Sequence, residues 1–517
     1  MTAAFGIIPY NVDALVALLS ESADTDPNVV RSKMHCVYFE EYFRALGALT
    51  IVIERDYVDH DYLEDFAAYY VRCFQEYKRK TVRLHFFSNT FTEADFKGLL
   101  TDDASALSTE NLQEGYLGFV IVKPLPGATI GRSCLKTYPD DNGRRYFPLL
   151  RTYEIGLFGI KLTVESLAFQ QQDTVVAACA TSALWTCFQG TGKRFQHAIP
   201  SPVEITQAAT DHVPDDLLAT GARTLPNAGL TATQMAFAIR AATLEPHVVR
   251  TPDPYILSST LYAYLRCGIP SILLFQLFDI TEANERQLGG HAVAVTGFSL
   301  GQSATQPHQM TGLQLRSSRI DKLYAHDDQI GPFARMTFNA TGALDTSWGG
   351  QGRVEGRPEL VLIPLYHKIR IPFEVIHDAI LELDSIMDWI RKMLNSQLQR
   401  PEWDIYLTTV NEYKKDIHSH YRSSLGTRLE DCLIESLPKY LWRVIALHGQ
   451  EAVMDMVFDA TGIAQHNLVL QTLVLNNELA GMFQVAVPQI VPQLAEGPLK
   501  NILRQLAPEP PQSPQFS

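Results

Sequence analysis

The sequence is poor in cysteine. Among 517 residues there are seven cysteines, at positions 36, 73, 134, 179, 187, 267 and 432. Their number is odd, they are widely separated, and none belongs to a C-x-x-C pair, so neither a disulfide framework nor a structural zinc site is indicated. We therefore expect free thiols in a reducing compartment, and no metal or other cofactor.

Long hydrophobic runs are missing as well. The longest apolar stretches, Val175 to Phe188 and Ile269 to Phe278, are shorter than the roughly 20 residues of a membrane-spanning helix, and we interpret both as core. The first residues, MTAAFGIIPYNVDALVALLSESADTD, lack the basic flank and small-residue cleavage site of a signal peptide. These absences predict a soluble, cytoplasmic protein that is not associated with membranes.

The sequence has fewer basic than acidic residues. Lys and Arg number 43 against 57 Asp and Glu, which gives a formal net charge of −14 at pH 7. A nucleic-acid-binding surface needs the opposite sign, so we do not expect a nucleic acid partner. The remaining composition, 46% hydrophobic and 19% charged, is that of a globular protein. At roughly 150 residues per domain, the chain is long enough for about two or three domains.

Several segments carry a clear periodicity. Strands are predicted at 49–56, 81–87, 272–278, 292–298 and 323–326, where apolar residues alternate or form short runs. Two other segments have apolar residues at helical spacing, which predicts helices. The first consists of Leu63, Phe66, Ala67, Tyr70, Val71 and Phe74. The second consists of Ile376, Ile380, Leu383, Met387, Ile390 and Leu394.

These patterns predict an α+β protein whose character changes along the chain. Strands dominate the middle, helical spacing dominates after Pro372, and the last residues are polar and rich in proline, which predicts disorder. We predict four regions: an N-terminal α/β region at 1–105, a central domain at 106–370, a mainly helical region at 371–506, and a disordered tail at 507–517.

Cys179 stands where a polar stretch gives way to an apolar helix-forming run. The segment reads FQQQDTVVAACATSALWTCF, and the predicted helix begins at the cysteine. At a helix N-terminus, the unpaired backbone N–H groups and the helix dipole favour the thiolate, which is the form that attacks a carbonyl carbon. Cys179 is therefore a candidate nucleophile. Cys187 would lie inside the same helix, and we expect it to be structural.

A thiolate nucleophile needs a base, and His291 can supply it. His291 opens the alternating segment GGHAVAVTGF, which predicts a strand. Gly289 and Gly290 precede it, and without side chains they would let a substrate backbone approach closely. His291 is thus the candidate general base.

The imidazole needs a third group to orient it. Asp327 and Asp328 end the predicted strand in LYAHDDQIGPF, and either could accept the second ring N–H, of which we prefer Asp327. Adjacent residues on a strand point to opposite faces, so we do not expect His326 and these two acids to bind a metal. In DTSWGG at 345–350, Thr346 would orient an imidazole poorly, whereas Trp348 could form a wall of the site.

A glutamine before the cysteine, a cysteine that opens a helix, a histidine on a later strand and an acid after the next strand together resemble the papain-like cysteine peptidases. The nearest likeness is to the bacterial leader peptidases and their relatives, and it covers about residues 165–330. It implies a papain-like catalytic core within 106–370. It also implies a thioester at Cys179, with the oxyanion bound by the Cys179 backbone N–H and by a glutamine, Gln172 or Gln171.

Three departures accompany the resemblance. The spacing between the glutamine and the cysteine differs by about one residue from the papain pattern. Ala180 follows the cysteine, where these families often have glycine. The separation of 36 residues between His291 and Asp327 is long, and we assign it to an insertion at GQSATQPHQMTGLQLRSSR.

The resemblance implies a cysteine-dependent hydrolase, a thiol protease that cleaves peptide or isopeptide bonds in a protein or peptide substrate. A regulatory protein partner would be compatible with it. The same Cys–His pair supports acyl or amide transfer and deamidation, because the fate of a thioester depends on whether water or an amine reaches it. The alternative of another class is an inactive papain-like binding scaffold. The roles of the N- and C-terminal regions stay open.

Overall fold

The structure is a computed structural model, and it contains both helices and sheets, consistent with the α+β prediction. The predicted tail at 507–517 lies outside the described residues. None of the helices in the described part of the chain combines the length and apolar character that a membrane span requires. The described residues are 5–101, 107–173, 178–211, 229–251, 253–281, 285–346, 348, 353–426, 428–462 and 468–506.

The chain divides into two compact units. Unit 1 consists of Met1–Pro254, Gly268–Ser299 and Asp321–Leu365. Unit 2 consists of Tyr255–Cys267, Leu300–Ile320 and Tyr366–Ser517. The change to unit 2 between Leu365 and Tyr366 lies close to the boundary predicted after residue 370.

The described part of unit 1 begins with a five-stranded antiparallel sheet, whose strands pair in chain order. The strands are β1 (Phe5–Pro9), β2 (Thr50–Tyr57), β3 (Thr81–Phe87), β4 (Tyr116–Val122) and β5 (Ile130–Leu135). The connecting helices are α1 (Val12–Ala23), α2 (Pro27–Arg31), α3 (Met34–Leu46), α4 (His60–Ala68), α5 (Glu93–Thr101) and α6 (Thr109–Gly115). The strands predicted at 49–56 and 81–87 are confirmed as β2 and β3. Because β4 pairs with β3, the sheet continues across the boundary predicted near residue 105.

The helical stripe predicted at 63–74 is only partly right. Helix α4 ends at Ala68 and is followed by the 3₁₀ turn Tyr70–Arg72. Phe66 and Tyr70 are buried as expected, but Val71 and Phe74 are exposed. Tyr62 is buried together with Phe66 and Tyr70. These aromatic rings are about one helical turn apart, and together they bury more apolar surface than the aliphatic side chains predicted to face inward would.

Farther along unit 1 come short strands and the helix that carries Cys179. The strands are β6 (Arg145–Tyr146), the hairpin of β7 (Arg151–Leu157) and β8 (Ile160–Ser166), and β9 (Glu245–Arg250). The helices between β8 and β9 are α7 (Cys179–Phe195), α8 (Pro202–Thr210) and α9 (Ala232–Ala241). Helix α7 is buried along most of its length, which agrees with its apolar sequence.

An antiparallel barrel completes unit 1. In order around the barrel its strands are β10 (Ser271–Asp279), β11 (Arg286–Leu300), β13 (Ile320–Asp327), β14 (Gly331–Phe338), β15 (Leu344–Asp345) and β16 (Val354–Leu365). The sheet closes because β10 pairs with β11 along one edge and with β16 along the other. The strands predicted at 272–278, 292–298 and 323–326 are confirmed and lie within β10, β11 and β13.

Unit 2 combines helices with a second antiparallel sheet. Its helices are α10 (Pro254–Leu265), α11 (Phe373–Met393), α12 (Val410–His420), α13 (Arg422–Leu425), α14 (Arg428–Ile434), α15 (Asn477–Ile490) and α16 (Pro498–Leu506). Its strands include β17 (Glu402–Thr409), β18 (Tyr440–His448), β19 (Glu451–Asp459) and β20 (Val469–Val474). The predicted stripe at 376–390 is confirmed as the buried face of α11, while Leu394 lies just past the helix end. The prediction of a mainly helical region missed this sheet.

The insertion assigned to residues 301–319 belongs to unit 2. There it forms the short strand β12 (Gln314–Leu315), which pairs in parallel with β17. The chain therefore leaves the barrel after the strand that carries His291 and returns to it at the strand that ends with Asp327.

Candidate active site

Cys179 is the first residue of α7, as predicted. The N-cap residue Ala178 has an extended backbone and no side chain that could cap the helix. The first N–H groups of a helix lack intrahelical partners, so here they remain available to an anion at the cysteine. Cys179 is partly exposed, whereas Cys187 is fully buried, and burial raises the pKa of the Cys187 thiol. Of the two thiols on this helix, Cys179 is the one placed for chemistry.

His291 lies on β11, opposite Phe275 of β10, and is buried. Its ring lies beside the Cys179 thiol, which helps to raise the pKa of His291, and its Nε2 lies 3.1 Å from Oδ1 of Asp327. With Nε2 engaged by Asp327, Nδ1 is the ring nitrogen left for the sulfur. Burial lowers the pKa of His291, but the Asp327 carboxylate and the Cys179 thiol outweigh burial, and the pKa lies well above its usual value. A raised pKa makes His291 a better acceptor for the proton of the Cys179 thiol.

Asp327 is held by three hydrogen-bond donors. Its Oδ1 accepts from His291 and from the Gln329 backbone N–H at 3.0 Å, and its Oδ2 accepts from Nε1 of Trp348 at 2.9 Å. Burial raises the pKa of Asp327, but the His291 charge and these hydrogen bonds bring it below the usual value. Asp327 is thus an ionised carboxylate in a fixed orientation, which is what a group that orients an imidazolium requires.

Trp348 closes one side of the His291–Asp327 pair. The indole lies edge-on to the His291 ring, with the ring centroids 4.8 Å apart. Trp348 is therefore a wall of the site, as expected, and it also donates the hydrogen bond to Asp327, which the sequence did not reveal. The Thr346 hydroxyl accepts from the Trp348 backbone N–H at 3.3 Å and so shapes the turn before the indole.

Asp328 also faces His291. The expectation that the two adjacent acids point to opposite faces of the strand was therefore wrong. Oδ1 of Asp328 lies 3.9 Å from Nε2 of His291, because β13 ends at Asp327 and the strand alternation stops there. The side chain is buried, and among the residues that the structure describes no other residue donates a hydrogen bond to its carboxylate. Burial and the neighbouring Asp327 raise the pKa of Asp328 to about 7.

His291, Asp327 and Asp328 are also the residues that could hold a metal ion. One ligand atom from each lies within 4.8 Å of the others. Nε2 of His291 is already hydrogen-bonded to Oδ1 of Asp327, and Oδ2 of Asp327 accepts from Trp348, so this arrangement fits a hydrogen-bonded acid better than a metal ligand. His326 is not part of this group, since its ring packs edge-on against Phe333, and burial lowers the pKa of His326 to about 3.

The glutamines before Cys179 differ in their surroundings. Oε1 of Gln171 accepts a hydrogen bond of 3.1 Å from the Ile130 backbone N–H on β5, so this amide is committed to the sheet edge. Gln172 is partly exposed, and residues 174–177, which join it to the helix, lie outside the described residues. Its role at the oxyanion stays a prediction. Gln170, which the sequence reasoning passed over, is buried and its Nε2 has no acceptor among the described residues.

Gly289, two residues before His291, has the backbone freedom that the sequence suggested. Its φ is +135°, a value that residues with side chains rarely adopt, and nothing lies within 4 Å of the position that a Cβ would take. The strand is therefore open to an approaching backbone at this point.

The comparisons with known proteins give no match: neither a protein-family model nor a curated protein matches this chain. The geometry of the site therefore carries the functional argument.

Proposed function

We propose that this protein is a papain-like cysteine hydrolase that cleaves a peptide or isopeptide bond through a thioester. Cys179 is the nucleophile, His291 the general base and acid, and Asp327 the residue that orients His291. The observation that carries the proposal is the arrangement of Cys179, His291 and Asp327: the cysteine opens a helix beside the His291 ring, and His291 lies within hydrogen-bonding distance of Asp327.

The reaction begins when His291 takes the proton of the Cys179 thiol. The thiolate attacks the carbonyl carbon and forms a tetrahedral oxyanion, which the Cys179 backbone N–H and Gln172 would stabilise. The intermediate collapses, the C–N bond breaks, and the amine leaves with a proton from His291. His291 then takes a proton from water, and the resulting hydroxide attacks the thioester. Collapse of the second oxyanion breaks the C–S bond and releases the acid and the Cys179 thiolate, to which His291 returns the proton.

The order of the elements supports a papain-like core. The nucleophile opens a helix, the base lies on a later strand, and the acid ends the strand that neighbours it in the barrel. These are the features on which the resemblance rests, and the insertion between base and acid leaves their neighbouring strands paired in one sheet.

The alternative of an inactive scaffold has less support. A buried histidine beside two buried carboxylates is unfavourable for folding, and such perturbed groups are enriched at sites that use them. Transfer to an amine would use the same residues, and an added amine acceptor distinguishes it from hydrolysis. The seven free cysteines are consistent with a reducing compartment, and we propose that this compartment is the cytoplasm.

Alkylation with a mild thiol reagent at several pH values, with mass spectrometry to locate the modified residue, tests the proposal. We expect Cys179 to react at pH 6 at least about tenfold faster than Cys73, which is also partly exposed and serves as an internal control. Cys179→Ala should lose the fast modification, and His291→Ala should move it to higher pH. Equal rates at Cys179 and Cys73 in the intact protein would contradict an activated thiolate.

A further inference from the structure

The two acids that face His291 lie at one turn, residues 327–332, which we call the acid turn. It runs from the last residue of β13 to the second residue of β14, and it is closed by a hydrogen bond of 3.0 Å from the Ile330 backbone N–H to the Asp327 carbonyl. The direction of both carboxylates depends on this backbone. Whatever holds the acid turn from outside therefore also sets the geometry at His291.

Helix α3 of the N-terminal region packs against the acid turn. Nε2 of His35 donates a hydrogen bond of 2.8 Å to the Asp328 carbonyl, and the Tyr38 hydroxyl donates one to the Pro332 carbonyl. Gly331 permits this approach, since a Cβ there would lie 2.4 Å from the Tyr38 ring. The helix thus contacts the start, the middle and the end of the turn.

His35 is suited to a fixed role rather than to proton transfer. Its ring is buried and stacks on Phe39 at a centroid distance of 6.5 Å. Burial lowers the pKa of His35 to about 4, so the ring is neutral at physiological pH and donates from Nε2. The hydrogen bond to the acid turn is then the same throughout the pH range in which Cys179 would work.

We infer that α3 is part of the catalytic apparatus and that His35 is a positioning residue, which acts on His291 through the acid turn. The inference rests on the proposed function and gives the N-terminal region a role that its sequence left open. Without the His35 hydrogen bond the Asp328 peptide would be free to rotate, and Asp327 would lose its alignment with His291. The imidazolium would be less well stabilised, and the Cys179 thiolate would form only at higher pH.

The test compares His35→Ala and His35→Gln with the same changes at His85. His85 is a matched control, because it is equally buried in unit 1, its pKa is likewise lowered to about 4, and it bonds to Tyr116 and Glu54 on the N-terminal sheet. Alkylation of Cys179 is measured from pH 5 to 9, together with thermal unfolding. We expect His35→Ala to slow alkylation at pH 6 by about tenfold and to shift the profile to higher pH. His35→Gln, whose amide can donate, should restore part of the rate.

The His85 variants should lower thermal stability without a shift of the alkylation profile. Tyr38→Phe keeps the ring against Gly331 and removes the hydroxyl, which also forms a hydrogen bond of 3.0 Å with the Tyr138 hydroxyl. It serves if His35→Ala does not fold, and a smaller shift in the same direction is expected. Unchanged profiles in the His35 and Tyr38 variants, or equal shifts in the His85 variants, would overturn the inference. Failure of the proposed function is distinguishable, because Cys179 would then react no faster than Cys73 before any substitution.

Discussion

The two acids beside His291 differ in the donors that reach them. Asp327 accepts three hydrogen bonds, whereas Asp328 lies buried at 3.9 Å from the same ring nitrogen without a donor from the other described residues. A carboxylate that is ionised and fixed can stabilise an imidazolium. A carboxyl group that is partly protonated near neutral pH stabilises it less, so the acids should respond differently to substitution.

We expect Asp327→Asn to lower kcat/KM for an amide substrate by at least about tenfold, because Asn cannot balance the charge of the imidazolium. Asp328→Asn, which is isosteric, should lower it by less than about threefold. The difference can be measured by steady-state kinetics of both variants on one peptide substrate. The rate of Cys179 alkylation at pH 6 measures it without a substrate. A larger loss for Asp328→Asn would reverse the assignment of the third residue.

The raised pKa of Asp328 predicts a stability that depends on pH. Folding raises the pKa of this group from about 3.9 in the unfolded chain to about 7, so its contribution to stability is fully present below about pH 4 and is lost as the pH rises through 7. Asp328→Asn removes this dependence. Relative to the unmodified protein, the variant should gain about 3 kcal/mol of unfolding free energy between pH 5 and pH 8.

Chemical denaturation at the two pH values measures this gain. Asp327→Asn is the comparison, since the pKa of Asp327 is lowered and its own contribution is instead lost as the pH falls. It also removes the charge that helps to raise the pKa of Asp328, so a smaller gain of the same sign is expected. A gain of the same size and sign in both variants would mean that Asp328 does not titrate in this range.

At the scale of elements, α7 combines a nucleophile with an uncapped N-terminus. Ala178 has φ of −104° and ψ of 173°, a conformation that suits a capping residue, yet its side chain cannot accept a hydrogen bond. The sequence allowed the start of this helix to be predicted, because the change from polar to apolar residues occurs at the cysteine. An uncapped start is unfavourable for the helix, but it leaves backbone donors beside the sulfur.

Ala178→Ser should reveal this conflict between stability and reactivity. A serine N-cap would accept from a first-turn N–H and raise the unfolding free energy by about 1 kcal/mol. It should also slow alkylation of Cys179, because its oxygen competes with the thiolate for the same donors. Denaturation and alkylation of one preparation measure both effects. A rise in stability with no loss of reactivity would show that those donors do not act on the sulfur.

The features that could not be predicted from the sequence were missed for related physical reasons. Strand β18, YLWRVIALH, is buried along nearly its whole length, so its apolar run shows no alternation and cannot be told from a buried helix by periodicity. Contacts between distant segments are equally hidden. The order of Cys179, His291 and Asp327 could be recognised along the chain, but the hydrogen bond from His35 to the acid turn and the position of Asp328 depend on a turn and a helix that only the fold brings together.

At the scale of the whole molecule, the insertion at 301–319 interrupts the path from the base to the acid. Its residues belong to unit 2, where Leu313 and Leu315 are buried and β12 extends the sheet beside β17. Cys179, His291 and Asp327, which we propose as the catalytic residues, all belong to unit 1. The insertion should therefore matter for the stability of unit 2 and not for the chemistry.

The structure suggests a direct way to separate these effects. The ends of the insertion are adjacent, since the Gly301 backbone N–H donates to the Arg319 carbonyl at 2.6 Å, and a two-residue Asn-Gly turn can join such strands. A variant with residues 302–318 replaced by this turn should lose roughly 2 kcal/mol of unit 2 stability for each buried leucine removed. Hydrogen exchange should accelerate in β17, while fast alkylation of Cys179 persists. If instead the fast alkylation disappears while β17 stays protected from exchange, the insertion is needed to hold His291 and Asp327 in place for reaction at Cys179.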